Sequence, residues 1–185
     1  MTPVDSEALD RLLLARSVRR GHFVLASGRT STFYIDCRLT TMSAEGLVLI
    51  GRLGLQAIRA RQWVPRSVGG LTMGADPVAY AIAAASISQS PIIDAFSVRK
   101  EAKAHGTGRQ IEGNFTAGDT VVVVEDVITT GGSALRAVDA VRAEGGTVLG
   151  VLAVVDREEG GREVIEQAGL GVTALTTATR LGLSA

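Results

Sequence analysis

Apolar residues recur along this chain at two spacings, and the alternation between them lays out its elements. The most apolar β-branched run is Val121-Val122-Val123-Val124, which reads as a strand buried on both faces, as in parallel sheets. Glu125 and Asp126 follow it, then Thr129-Thr130-Gly131-Gly132-Ser133, then Ala134, Leu135, Val138 and Val141 at helical spacing. Upstream, Asp5 is placed to cap a first helix that buries Leu9, Leu12 and Leu13. Gly21 ends that region. Phe23 to Leu25 and Phe33 to Arg38 read as short strands, a hairpin pair around the turn Ala26 to Arg29. A second helix is predicted from Ala44 to Arg61, with Leu47, Ile50, Gly54, Ala57 and Ile58 on one face; its glycines suggest close packing against another element.

Pro65 stops what precedes it. A short strand and a glycine-bearing loop, Val68 to Pro77, then lead to an alanine-rich helix through about Ser88, with Asp76 as cap and Pro77 in the first helical position. Ile92 to Val98 reads as a strand, and Arg99 to Gly113 as a mobile loop or ribbon. Val148 to Val155 is another buried strand, Arg162 to Ala168 a short helix, and Val172 to Leu175 a last strand. Strands alternating with helical stretches predict an α/β chain whose central sheet is mostly parallel and flanked by helices. The 185 residues suit a single domain, 1–185.

Charge adds little to that layout but excludes some functions. Lys plus Arg and Asp plus Glu both number 19, so bulk charge gives no support for a nucleic-acid binder. The N-terminus mixes acids with arginine and is no signal peptide, and no apolar run is long enough to span a bilayer. Cys37 is the single cysteine, so no intrachain disulfide forms and a cytoplasmic setting is expected. Cys37 and Trp63 read as packing residues, and His22 as structural or exposed.

The candidate chemistry lies at the ends of the predicted strands. In Val121 to Ser133, backbone N–H groups and three hydroxyls can surround a phosphate at a helix N-terminus, where the helix dipole favours negative charge. Glu125 and Asp126 would repel that phosphate, so they are better suited to accept hydrogen bonds from sugar hydroxyls or to help hold a metal ion. A plain αβ loop with solvated acids is the competing reading. The loop from Val68 to Pro77 is either a tight βα connection or a second anion cradle built from N–H groups around Leu71 and Thr72. The chain has only two lysines, Lys100 and Lys103, both in the stretch RKEAKAHGTGRQIEG beside Arg99 and His105. That stretch is either a solvated charged loop or one that closes over a polyphosphate. Arg157 closes a strand in DREEGG; a salt bridge with Glu158 or Glu159 and a fork gripping a planar carboxylate or carbonyl substrate are equally compatible with its position.

These segments resemble a known family. VVVVEDVITTGGS resembles the phosphoribosyl-pyrophosphate signature of type I phosphoribosyltransferases. FSVRKEAKAHGTGRQIEG resembles the catalytic loop of the orotate phosphoribosyltransferases, LASGRTSTFYIDCR their N-terminal segment, and DREEGG their late Arg-containing turn. The resemblance runs in order from Leu9 to about Gly161. It implies the type I fold with a small N-terminal hood, mainly 1–40, and a pentosyl transfer: orotate displaces pyrophosphate from phosphoribosyl pyrophosphate, giving orotidine 5′-phosphate in pyrimidine synthesis.

By the same resemblance, Thr129, Thr130, Gly131, Gly132 and Ser133 hold the 5′-phosphate, and Val127 and Ile128 also belong to the phosphoribosyl-pyrophosphate-binding set. Glu125 and Asp126 address the ribose hydroxyls. Leu71 and Thr72 cradle the pyrophosphate, and Arg99, Lys100, Lys103 and His105 meet it. Thr129 and Arg157 contact orotate. Lys103, Arg99, His105 and Asp126 are the expected catalytic residues. Magnesium is carried mainly by the substrate's own oxygens. The implied assembly is a homodimer whose loop 99–109 reaches the neighbouring subunit's site, with no nucleic-acid or membrane partner. The chain departs from many family members at Ala26 and within GLTMGADPV, where a lysine is common. Two other functions compete: transfer to another base such as a purine, argued against by Arg157 and the basic loop, and a regulatory protein that keeps the phosphoribose site as a sensor and binds nucleic acid.

Overall fold

The computed structural model describes residues 3–24, 30–101 and 110–183. Helix α1 (Pro3–Arg16) buries Leu9, Leu12 and Leu13 as their spacing predicts. The helix begins ahead of Asp5, which therefore sits in the first turn rather than at the cap, still on the end where the dipole favours a carboxylate. Strands β1 (Val18–Val24) and β2 (Thr30–Ile35) form the predicted antiparallel hairpin, with Arg19 opposite Tyr34 and Phe23 opposite Ser31. Gly21 does not end the region; it lies inside β1, where the register shifts between Arg20 and Phe23. Leu25 and the turn 26–29 lie outside the described residues. Arg38 leaves the strand and opens a one-turn helix, α2 (Arg38–Thr41). His22 is exposed.

Helix α3 (Ala44–Ala60) starts where predicted because the Ser43 hydroxyl accepts the Gly46 N–H at 3.1 Å. Then follow β3 (Ser67–Leu71), α4 (Ala75–Ser86), β4 (Asp94–Val98), β5 (Ile111–Gly113), β6 (Thr120–Ile128), α5 (Gly132–Ala143), β7 (Thr147–Asp156), α6 (Gly161–Gln167) and β8 (Val172–Thr177). Six strands form one sheet in the order β5-β4-β3-β6-β7-β8. All neighbours are parallel except β5, which runs antiparallel to β4. This is the α/β architecture the sequence predicts, with a separate two-stranded N-terminal sheet.

Three boundaries differ from expectation. Gly69 and Gly70 belong to β3 itself, so the loop after it is shorter than the sequence suggests. Helix α4 starts at Ala75, which puts Asp76 and Pro77 inside its first turn; Asp76 there accepts the Ser97 hydroxyl at 2.7 Å instead of capping. The basic stretch is not all loop. Its end forms β5, and the Arg99 N–H donates to the Gln110 carbonyl at 2.9 Å, zipping the two feet of the segment together.

The valine run explains why the sheet is covered twice. Val122 and Val124 face one way, packing with Leu152, Val154, Ile50 and Ile82 under α3 and α4. Val121 and Val123 face the other, packing with Val151, Ala137, Val138 and Val141 under α5. All four valines are fully buried, each contributing about 1.5–3 kcal/mol of apolar burial. The close packing expected of the α3 glycines is present, since a Cβ on Gly54 would lie 2.8 Å from the Ile82 side chain of α4. Cys37 is buried in the core, and burial pushes its thiol well above the usual range. Trp63 packs at the core edge with the Arg61 guanidinium 5.2 Å from its ring.

Candidate active site

Because β3, β4, β6 and β7 run parallel, their carboxyl ends meet along one edge of the sheet, the edge at which open α/β folds take ligands. Onto it come Leu71 and Thr72 from β3, Arg99 and Lys100 from β4, Glu125 to Ser133 from β6, and Arg157 from β7. Lys103 and His105 lie outside the described residues. Arg99 stands at the foot of the basic segment, exposed, with its Nε 3.0 Å from Glu112 of β5. Lys100 is exposed beside it.

Strand β6 extends through Ile128, so Glu125 and Asp126 are strand residues rather than the start of the turn. The pleat therefore sends them to opposite faces. Glu125 lines a small polar cavity of about 160 Å³ shared with Val127, Ile128 and the turn Thr129 to Ala134. Asp126 lies against the turn before α4, where a Cβ on Gly74 would sit 2.6 Å from its Oδ1. Only glycine leaves that carboxylate its place. The two acids thus bracket the strand end, and a sugar lying across it can meet both.

Glu125 is 6% exposed, and its Oε1 is buried without a hydrogen-bond partner. Burial, reinforced by the negative charge of Asp126 and partly opposed by Arg136, raises its pKa from 4.5 to about 8. Asp126 is also raised, chiefly by burial, although the Val127 N–H donates to its Oδ1 at 2.9 Å. A buried acceptor left without a donor costs about 1–3 kcal/mol, and natural folds keep such groups where a ligand supplies the partner. Sugar hydroxyls supply that chemistry, as does a hydrated magnesium ion, for which carboxylate oxygens are suitable donors. Among the described residues, no group of three or more His, Cys, Asp or Glu gathers as a metal cluster.

The turn after β6 is shaped by Gly131, whose φ of 79° lies in the left-handed region. A Cβ there would also come within 2.7 Å of the Gly161 carbonyl, because α6 packs directly against the turn. The first bond of the α5 ladder runs from the Leu135 N–H to the Gly131 carbonyl at 3.0 Å. The amides of Gly132, Ser133 and Ala134 precede the ladder and have no partner within the helix. They open onto the same cavity as the hydroxyls of Thr129, Thr130 and Ser133. An anion of phosphate size is what such a turn accommodates.

Of the amides around Leu71 and Thr72, the Thr72 N–H already donates to the Val98 carbonyl at 2.8 Å, so this residue has its hydroxyl to offer. Leu71 is the buried last residue of β3. Of the two readings of Arg157, the structure shows the salt bridge, made with Glu159. Its Nε lies 2.7 Å and its Nη2 2.6 Å from one Glu159 carboxylate oxygen, with the arginine buried and the glutamate part-buried, the side chains being 5% and 13% exposed. The Arg157 Nη2 is also 3.4 Å from the Ser31 hydroxyl, and its Cζ stands 4.7 Å from the Phe33 ring centre. The N-terminal hairpin therefore lies over the carboxyl end of β7, a contact between residues far apart in sequence that no local pattern announces. The Arg157 N–H bonds the Ile128 carbonyl at 3.0 Å, tying this arginine to the start of the phosphate turn.

A phosphoribosyl transferase domain model matches residues 45–170. The orotate phosphoribosyltransferase of Aquifex aeolicus is 48% identical over 178 residues, covering 95% of this chain and 96% of that protein. The chain belongs to the orotate phosphoribosyltransferase family. Within the family, the crystal structure of the Mycobacterium tuberculosis enzyme with Fe(III) dicitrate superposes with a TM-score of 0.86 at 46% identity, covering 97% of this chain and 99% of that one. The same bacterium's enzyme in complex with 5-phospho-α-D-ribosyl 1-diphosphate superposes at 0.82 with 43% identity and the same coverage.

Proposed function

We propose that this chain transfers the phosphoribosyl group of phosphoribosyl pyrophosphate to orotate, releasing pyrophosphate and forming orotidine 5′-phosphate for pyrimidine synthesis. The observation that carries the reading is the orphaned, buried carboxylate of Glu125 facing the cavity formed by the Thr129–Ser133 turn. In this reading the turn binds the 5′-phosphate, and Glu125 and Asp126 take the ribose hydroxyls from either side of the strand end. Arg157, fixed by Glu159, presents its guanidinium to the carboxylate or carbonyl oxygens of orotate, next to Thr129.

As the bond from C1 to the diphosphate oxygen breaks, positive charge grows on the sugar and negative charge on the leaving group. Cations placed at the leaving oxygens then stabilise the transition state more than the ground state. We assign that role to Arg99, Lys100, Lys103 and His105, with Leu71 and Thr72 at the base of the diphosphate site. Asp126, negative and close to the ribose, favours the developing positive charge on the sugar. Magnesium enters on the substrate's oxygens and neutralises part of the diphosphate charge. Closure of the basic segment keeps water from the reacting carbon.

The functional unit in this reading is a homodimer, with loop 99–109 completing the neighbouring site. An apolar groove of about 580 Å³ between α3 and α4, where Val48 and Tyr80 are each about half exposed, supports such a contact. The hairpin serves as the hood over the site. The lone buried Cys37 accords with the reducing cytoplasm. Among the described residues, no helix is long and apolar enough to cross a membrane. The decisive experiment follows orotate absorbance after adding phosphoribosyl pyrophosphate and magnesium. Loss of the signal with formation of orotidine 5′-phosphate is expected; turnover with adenine but not orotate would overturn the base assignment.

A further inference from the structure

Arg136 stands one turn into α5, beyond the motif that binds the phosphoribose, and the reaction as described gives it no task. We propose that Arg136 is a further binding residue for the 5′-phosphate of phosphoribosyl pyrophosphate, closing the outer side of the cavity formed by the Thr129–Ser133 turn; this rests on the reading of that turn given above.

Two observations place it there. The Arg136 Nη2 lies 3.4 Å from the hydroxyl of Ser133, a residue that lines the cavity. Arg136 is also the positive charge that acts on Glu125, the buried acid on the cavity's inner wall. The guanidinium thus stands beside a lining residue of the cavity whose inner wall carries the orphaned carboxylate.

The position is electrostatically unusual. A cation close to a helix N-terminus opposes the positive end of the dipole, and the first turn of α5 contains no acidic residue to balance it. Among the described residues, Arg136 forms no ion pair with a carboxylate. Glu125, held largely protonated near neutral pH, is a poor counter-ion. The arrangement is unfavourable while the cavity is empty and becomes favourable when a dianion enters it. A guanidinium suits that anion because it donates two parallel hydrogen bonds to phosphate oxygens. The Ser133 hydroxyl, now beside the Arg136 Nη2, then turns to the phosphate along with the amides of Gly132 and Ser133.

The test separates the two ends of the substrate. In wild-type protein, ribose 5-phosphate and pyrophosphate are each titrated as inhibitors of orotidine 5′-phosphate formation. In Arg136→Ala, inhibition by ribose 5-phosphate is expected to weaken about tenfold and the KM for phosphoribosyl pyrophosphate to rise by a similar factor. Inhibition by pyrophosphate and the KM for orotate stay unchanged. Arg136→Lys recovers part of the loss, and Arg142→Ala, a charge deletion at the far end of the same helix, behaves as wild type. Equal inhibition of wild type and Arg136→Ala by ribose 5-phosphate would overturn the assignment, as would parallel weakening by both inhibitors. Absence of orotate turnover in the wild type would instead strike the reading of the reaction, and binding of ribose 5-phosphate measured by calorimetry would still judge Arg136 alone.

Discussion

Replacing Glu125 by glutamine removes an ionisable group and keeps its shape, which makes its electrostatic cost measurable. The carboxyl has a pKa of about 8 in the folded protein against 4.5 ordinarily. Each tenfold change in proton affinity is worth about 1.36 kcal/mol, so ionising Glu125 in place costs on the order of 5 kcal/mol. The sign follows from proton counting. Between pH 4.5 and about 8 the folded chain holds a proton that the unfolded chain has lost, so unfolding becomes easier as pH rises through that window. Below it the penalty vanishes, and above it the penalty is complete. Urea unfolding of wild type and Glu125→Gln at pH 5, 7 and 9 reads the difference directly. The two proteins should be close in stability at pH 5, and the variant should gain several kcal/mol on the wild type by pH 9. A stability difference that does not change with pH would refute the buried, unpartnered state of this acid. The same group gives a binding signature. If sugar hydroxyls stabilise the ionised form, phosphoribosyl pyrophosphate should release close to one proton near pH 7, seen as a buffer-dependent heat.

Other perturbations test other parts of the site. Arg157→Ala should raise the KM for orotate strongly and, by removing a buried guanidinium that pairs with Glu159 and stacks on Phe33, lower stability by about 1–3 kcal/mol; Arg157→Lys, which keeps the charge but not the fork, should recover more of the stability than of the KM, with denaturation and kinetics compared in the same preparations. Gly131→Ala should destabilise by on the order of 1–3 kcal/mol and weaken phosphoribosyl pyrophosphate binding, because it forces a side chain into a left-handed backbone 2.7 Å from the Gly161 carbonyl; a melting curve with and without ligand measures both. Lys103→Ala should lower turnover a hundredfold or more, about 3 kcal/mol of transition-state stabilisation, without moving the melting temperature; near-normal turnover would remove Lys103 from the chemistry.

The layers were legible because their signals are long and redundant. Four valines alternate between two helix layers, and α3 carries its apolar face from Gly46 to Ile58. Boundaries were less so. Asp76-Pro77 resembles a helix start, yet α4 begins a residue or two earlier because Asp76 bonds Ser97 across the structure. Strand β5 hides in a charged stretch because its pairing with β4, rather than its own composition, makes it a strand. In the site, the motif reported which residues gather but not how they face. That Glu125 and Asp126 diverge, that Thr72 has already engaged its N–H, and that Arg157 is held between Glu159 and Phe33 are consequences of tertiary contact. Arg136 had no local signal at all; the helical period brings it beside Ser133 only once the turn's geometry is known.

Crystals grown with phosphoribosyl pyrophosphate and magnesium decide where the activated sugar rests. The 5′-phosphate should lie within hydrogen-bond distance of the amides of Gly132 and Ser133, with a ribose hydroxyl on the Glu125 carboxylate. Density for the sugar phosphate away from the Thr129–Ser133 turn, with Glu125 still unpartnered, would contradict the account.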